Sequence, residues 1–338
     1  MTRTRTSGVA SLIFAASAPR VLMLTYAAGL VYAAGLLACG GCAPPTRAAK
    51  LPEVTQAAPE SNHAETLFAA SDGLKLYRQS WKPSGAPRAA LVIQHGLKSH
   101  SGDYAAFARA MAARGFAVYA ADMRGHGRSA GQRATLDDFD QLVRDLQQTV
   151  TLARREVPPP KPVFLIGHSV GGALSALYAE QHQSDLNGLI LLAPALRVDR
   201  TAVEAAATPF FGTLLPNAPL VDVPNAWFSR DPARVTAMDN SDLVYQPAGP
   251  ARTGVALLEA LEYVWAHPQT IQIPLLALHG TADKATDPRG SVEFVGRAGS
   301  ADKQLLLYRG LYHDLLHEPE RAQVMRDLRD WLERHVSP

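Results

Sequence analysis

From Ala89 onward, short apolar runs alternate with helix-length amphipathic stretches, and this alternation limits the possible folds more than any other feature. The runs Ala89–Gln94, Ala117–Ala121, Val163–Ile166 and Leu189–Leu192 read as strands, and Tyr104–Arg114, Asp137–Arg155 and Gly171–Gln181 between them read as helices. The unit recurs later, with strands at Pro274–Leu278 and Gln304–Tyr308 and helices at Ser291–Arg297 and Glu320–His335. Strands spaced by helices predict an α/β fold, a mostly parallel sheet with helices on both faces. A hairpin should precede it, because Thr66–Ala70 and Leu74–Trp81 flank Ser71-Asp72-Gly73. Ligands of such sheets sit beyond the carboxyl ends of the strands, so reactive residues are expected just after them.

Between Pro194 and about Gly249 the alternation stops. An insertion of that length, about 195–249, with its own apolar residues is expected to form a cap over the site. Thr208-Pro209 suits a helix start, and Phe210, Phe211, Leu214 and Leu215 follow it. These four are expected to line a substrate channel or touch a lipid surface, or else simply to close the cap onto the body.

The chain has 338 residues, 47% of them apolar and 19% charged, which is globular usage. Its net charge of +2 arises in the first 38 residues, which hold Arg3, Arg5 and Arg20 and no acid; 33 basic residues less these three leaves 30 against 31 acidic. A near-neutral body argues against a nucleic-acid partner. Both cysteines, Cys39 and Cys42, lie beside that leader, so the globular part has no thiol for a disulfide, a metal or nucleophilic attack.

The leader, residues 1–38, joins arginines to the apolar run Val21–Ala38 and then to Cys39. This is the pattern of an export signal. "LLAC" at Leu36–Cys39 resembles the lipobox of bacterial lipoproteins, which implies cleavage before an acylated Cys39, although Leu37 is larger than usual there. A plain cleaved signal peptide or an uncleaved anchor of eighteen residues are the alternatives. Each places the body outside the cytoplasm. Residues 39–62 are rich in Pro and Ala and read as a tether, leaving 63–338 for the folded domain.

"GHSVG", Gly167–Gly171, closes the strand Val163–Ile166 and opens the helix that follows. A residue on so sharp a turn needs small neighbours, and the arrangement matches the G-x-S-x-G nucleophile elbow, with Ser169 raised above the sheet. A serine hydroxyl is a poor nucleophile unless a base, oriented by a third group, stands beside it. In the order of this elbow's partners, an acid should follow one later strand and a histidine the next. "PLLALHG" leads into Asp283 and then Asp287, and Asp283 is nearer the strand end; "KQLLLYRG" leads into His313 and then His317, and His313 comes first. The oxyanion donors expected are the backbone amides of Val170 and Leu97. His313 and His317 are four apart but lack the glutamate of H-E-x-x-H, so neither a metal nor any other cofactor is expected. "DMRGHGRS", Asp122–Ser129, lacks the ending of a phosphate loop and reads as a structural turn, and His168 reads as a packed neighbour of the serine.

With these residues in place the chain resembles the monoacylglycerol lipase and lysophospholipase branch of the α/β-hydrolase fold, within the serine aminopeptidase S33-type hydrolases. "HGLKSHSGDY", "ADMRGHGRSAG", "GHSVGGALSALYA", "LLAPALRV", "SRDPARV", "HGTADKATDPRGS" and "YRGLYHDLLHEPE" carry the resemblance from about Thr66 onward. It implies a cap over an apolar acyl channel, the triad Ser169, Asp283 and His313, and hydrolysis of a lipid monoester through an acyl-enzyme. A general esterase, an aminopeptidase and an acyltransferase share that chemistry. Two positions depart from the branch: Ser99 stands where a glutamate is usual and Asp103 where an arginine is, which bears on the head group.

Overall fold

The computed structural model describes residues 62–198 and 214–336. Its sheet has eight strands, β1 (Asn62–Ala69), β2 (Lys75–Lys82), β3 (Ala89–Gln94), β4 (Phe116–Ala121), β5 (Val163–His168), β6 (Gly188–Leu192), β9 (Leu275–Gly280) and β10 (Lys303–Tyr308). They lie in the order β1-β2-β4-β3-β5-β6-β9-β10, with β2 antiparallel to β1 and β4 and every other pair parallel. The antiparallel edge follows from the tight turn: Gly73 takes φ +85°, and Asp72 Oδ1 accepts from the Leu74 amide at 3.1 Å.

The central strands are buried along their whole length, as unbroken apolar runs of parallel sheets must be. Alternate side chains feed two cores. Val163 and Leu165 of β5, with Leu275 and Ala277 of β9, face one core; Phe164, Ile166, Leu276 and Leu278 face the other. Helices α2 (Phe139–Glu156), α3 (Val170–His182), α5 (Ala251–Ala266) and α6 (Pro288–Arg297) close the first, through Leu146, Leu174, Leu261 and Phe294 among others. Helices α1 (Ala105–Ala112) and α7 (Arg321–Val336) close the second, through Phe107, Met111, Leu328 and Trp331.

Between β6 and β9 the described part of the insertion carries the short pair β7 (Pro219–Val221) and β8 (Gly249–Pro250) and the helix α4 (Pro232–Asp239). Asp231 caps α4 with Pro232 at its first position, as "SRDPARV" allows. Helix α5 was not among the expected elements. It follows the insertion and packs on α3, with Ala256, Leu257, Ala260, Leu261 and Val264 buried at helical spacing. The expected helix Tyr104–Arg114 is α1, Ala105–Ala112, entered through a short 3-10 turn at Ser101–Tyr104, and β1 begins one residue earlier than the expected domain start at 63.

Candidate active site

One residue separates the end of β5 from the start of α3, and that residue is Ser169, at φ +57°, ψ −125°. A non-glycine residue in that region is strained and persists only when its surroundings determine it. Here they do: the Ser169 amide donates to Leu192 O at 3.0 Å, and its carbonyl accepts from Gly172, Ala173 and Ala195 at 2.8, 3.2 and 2.8 Å. The flanking glycines are needed for space. A Cβ on Gly171 would come 2.2 Å from His95 O, and one on Gly167 would come 2.4 Å from Ser175 Oγ.

The loop after β3 lies against the serine, since a Cβ on Gly96 would fall 2.6 Å from Ser169 Cβ and 3.2 Å from its Oγ. Leu97, the next residue, is therefore beside the nucleophile. Among the described residues neither the Leu97 nor the Val170 amide donates to another backbone group, and Val170 heads α3, where the helix field favours negative charge. His95 fixes this loop. Its Nδ1 donates to Gly96 O at 2.8 Å and its Nε2 accepts from the Met123 amide at 2.8 Å, a tautomer assigned from the partners. Burial keeps it neutral by lowering its pKa. Asp122 anchors the turn after β4, accepting from the amides of Ser101 at 2.6 Å and Arg128 at 2.8 Å, and Gly125 and Gly127 take φ +71° and +49°. "DMRGHGRS" is thus a structural turn.

Asp283 and His313, from the loops after β9 and β10, meet at 2.8 Å through Oδ2 and Nδ1, both side chains fully buried. Asp283 Oδ1 accepts from the amides of Ala285 and Thr286 at 2.8 and 3.0 Å. Its Oδ2 also lies 2.9 Å from Thr286 Oγ1 and 3.1 Å from His279 Nε2. Burial pushes the Asp283 pKa up, but His313 and His279 outweigh it and hold the carboxyl far below the carboxylate range. His279 and Thr286 had no signal in the sequence beyond being polar. His313 Nε2 is buried with no hydrogen-bond partner among the described residues. Its ring is held between Phe228, 5.2 Å away edge-on, and His168, 4.8 Å away.

The alternatives stand elsewhere. Asp287 caps α6, accepting from the Arg289 amide, and pairs with the side chains of Arg289 and Arg197. His317 Nδ1 lies 2.9 Å from Asp314 Oδ1 rather than near Asp283. His168 takes part in the site, with Nδ1 3.1 Å from the Tyr104 hydroxyl and Nε2 3.3 Å from His313 O. Burial, then His313, lower its pKa to about 4. Leu214 and Leu215 are exposed, at 67% and 47%. Phe210, Phe211 and Cys39 lie outside the described residues.

A mostly parallel sheet with a strained serine on a one-residue elbow defines an α/β-hydrolase. The sequence profile of the serine aminopeptidase S33 family matches residues 85–320. The chain is 33% identical to a monoacylglycerol lipase of Mycolicibacterium smegmatis, over 82% of this chain and 99% of that one. It is 32% identical to the monoglyceride lipase of Homo sapiens, over 79% of this chain and 89% of that one. The crystal structure of Paleococcus ferrophilus monoacylglycerol lipase superposes with a TM-score of 0.68 at 28% identity, covering 77% of this chain and 99% of that chain. The chain belongs to the serine aminopeptidase S33 family of α/β-hydrolases, in its monoacylglycerol lipase-like branch.

Proposed function

We propose that the protein hydrolyses carboxylic esters of lipids, with monoacylglycerols or lysophospholipids as substrates, through an acyl-enzyme on Ser169. The observation that carries this reading is the buried Asp283–His313 pair, joined at 2.8 Å and leaving His313 Nε2 unpartnered among the described residues. Nε2 takes the Ser169 proton as Oγ bonds to the ester carbonyl carbon, and the Leu97 and Val170 amides receive the oxyanion. Asp283 holds the imidazole tautomer and stabilises the imidazolium. The C–O bond to the alcohol then breaks, and His313 returns the proton to it. Water repeats the steps and frees the fatty acid. No hydrogen bond yet joins Ser169 Oγ to Nε2; such contacts tighten when substrate binds.

A hydrolysis panel tests the reading: monoacylglycerols, lysophospholipids, short esters and aminoacyl amides, with wild type beside Ser169→Ala. Monoesters of medium or long chains should outrun amides, and Ser169→Ala should lose turnover while remaining folded. Full activity in that variant would remove Ser169 from the mechanism, and faster amide cleavage would favour an aminopeptidase.

We further propose that the leader exports the protein and that acylated Cys39 tethers it to a bacterial envelope membrane, which would keep the site near lipid substrates. Among the described residues no helix is long and apolar enough to cross a membrane. The mass of the mature N-terminal peptide decides: a diacylglyceryl-cysteine at 39 supports the tether, and a free or absent Cys39 rejects it.

A further inference from the structure

The oxyanion loop leaves β3 and the histidine loop leaves β10, which β5, β6 and β9 separate in the sheet. Four strand spacings are about 19 Å, so the ladder itself does not set one loop against the other. Side chains above the sheet do, and they connect residues 103–104 to residues 313–314 twice. On one route the Tyr104 hydroxyl meets His168 Nδ1 at 3.1 Å, and His168 Nε2 meets His313 O at 3.3 Å.

The other route runs through the insertion. Arg234, on α4, donates from Nη1 to Asp103 Oδ1 at 2.8 Å and from Nε to Asp314 Oδ2 at 3.0 Å. All three side chains are nearly buried, at 12%, 10% and 8% exposure. Each carboxylate is held in turn. Asp103 Oδ2 accepts from Ser99 Oγ at 2.8 Å and the His100 amide at 3.3 Å, and Asp314 Oδ1 faces His317 Nδ1 at 2.9 Å. The Asp314 amide also donates to Phe228 O, again in the insertion, at 2.7 Å. Asp103, braced by Ser99, and Asp314 thus receive an arginine carried by the insertion.

We propose that Arg234 is a positioning residue: its fork, shared between Asp103 and Asp314, straps the oxyanion loop to the histidine loop and makes their alignment depend on the seating of α4. A guanidinium suits the task because it is planar and reaches two carboxylates in fixed directions, which an ammonium cannot. Misplacement of a reacting group by about 1 Å costs roughly a hundredfold in rate. The strap therefore acts on turnover rather than on substrate affinity. This inference rests on the proposed role of the two loops.

The test compares wild type, Arg234→Met, Arg234→Lys, Asp103→Asn and the double variant Arg234→Met with Asp103→Asn. Each is assayed on p-nitrophenyl butyrate, a short ester, and on a monoacylglycerol. Arg234→Met should lower kcat about 10- to 100-fold on both esters with KM changed less than about threefold. Adding Asp103→Asn should cost less than about twofold more, since the two residues act as one unit. Arg234→Lys should recover kcat only in part. Unchanged kcat, a KM effect confined to the monoacylglycerol, additive losses, or full recovery with lysine would each overturn the strap. Should Arg234→Met not fold, Asp103→Asn decides alone, since it keeps the Arg234–Asp314 pair: lowered kcat at constant KM supports the strap, and unchanged kcat rejects it. Hydrogen exchange gives a readout that needs no substrate. Loss of the strap should speed exchange in residues 97–104 and 311–318, and unchanged exchange in both segments would overturn the inference. If wild type cleaves neither ester, the proposed function fails while the exchange result still decides the strap.

Discussion

At the scale of single residues, Ser169 was legible because its chemistry forces its context: a strained turn between strand and helix admits only small neighbours, and these are written into Gly167 and Gly171. Asp283 was separable from Asp287 by its distance from the strand end, and the structure shows why the distinction is physical. Asp287 is engaged in starting α6, whereas Asp283 faces His313. What could not be read was the support around the carboxylate. His279 and Thr286 are polar residues whose partners are defined only after β9 and the following loop fold back on each other. Asp283→Asn should keep the fold and lower kcat about 10³- to 10⁴-fold, because the amide no longer fixes the His313 tautomer or balances the imidazolium. Steady-state kinetics beside a melting curve would show it, and a variant retaining a tenth of wild-type turnover would contradict the assignment of the acid.

At the scale of elements, strand cores were placed to within a residue or two where an unbroken apolar run was bounded by turn residues, as for β3. Helix α5 was missed although its buried face repeats at helical spacing, because the insertion before it drew the boundary of the irregular segment and nothing in "GPARTG" resembles a side-chain cap. Its anchor is instead tertiary. Thr253 accepts from the Leu136 amide at 3.0 Å and donates to Ala134 O at 3.1 Å, buried at 1% exposure. Thr253→Val keeps the shape and removes both bonds, leaving a buried donor and acceptor unpaired. It should cost about 1 to 3 kcal/mol in urea unfolding. A loss below about 0.3 kcal/mol would mean that α5 is held by its apolar face alone.

At the scale of the whole molecule, buried charge decides the response to acid. His126 is buried, and its pKa is lowered to about 3 by that burial and by His95. Between pH 6.5, its ordinary value, and about 3, the unfolded chain carries a proton that the folded one does not, so stability falls as pH falls through that window. His168, lowered to about 4, adds the same sign over a narrower range. The aspartates Asp103, Asp283 and Asp314, all held below their usual range, contribute stability that is present above about pH 4 and lost on further acidification. Burial pushes the His317 pKa down, but Asp314 outweighs it and leaves it raised, a contribution of opposite sign, fully present below pH 6.5 and lost above its folded pKa. His126→Asn, whose amide can still donate to Arg124 O, should flatten the stability profile between pH 6.5 and 4 by on the order of 3 kcal/mol. An unchanged slope in denaturant titrations at stepped pH would show that His126 does not titrate as described. The sequence by itself determined the layered α/β plan, the order of the reactive residues and the elbow, because apolar periodicity and turn sterics are local properties of a chain. Only the tertiary structure decided how buried charges pair, above all Asp103 and Asp314 with Arg234, because an ion is stabilised by neighbours within a few ångströms and those neighbours come from loops and a helix far apart in the sequence.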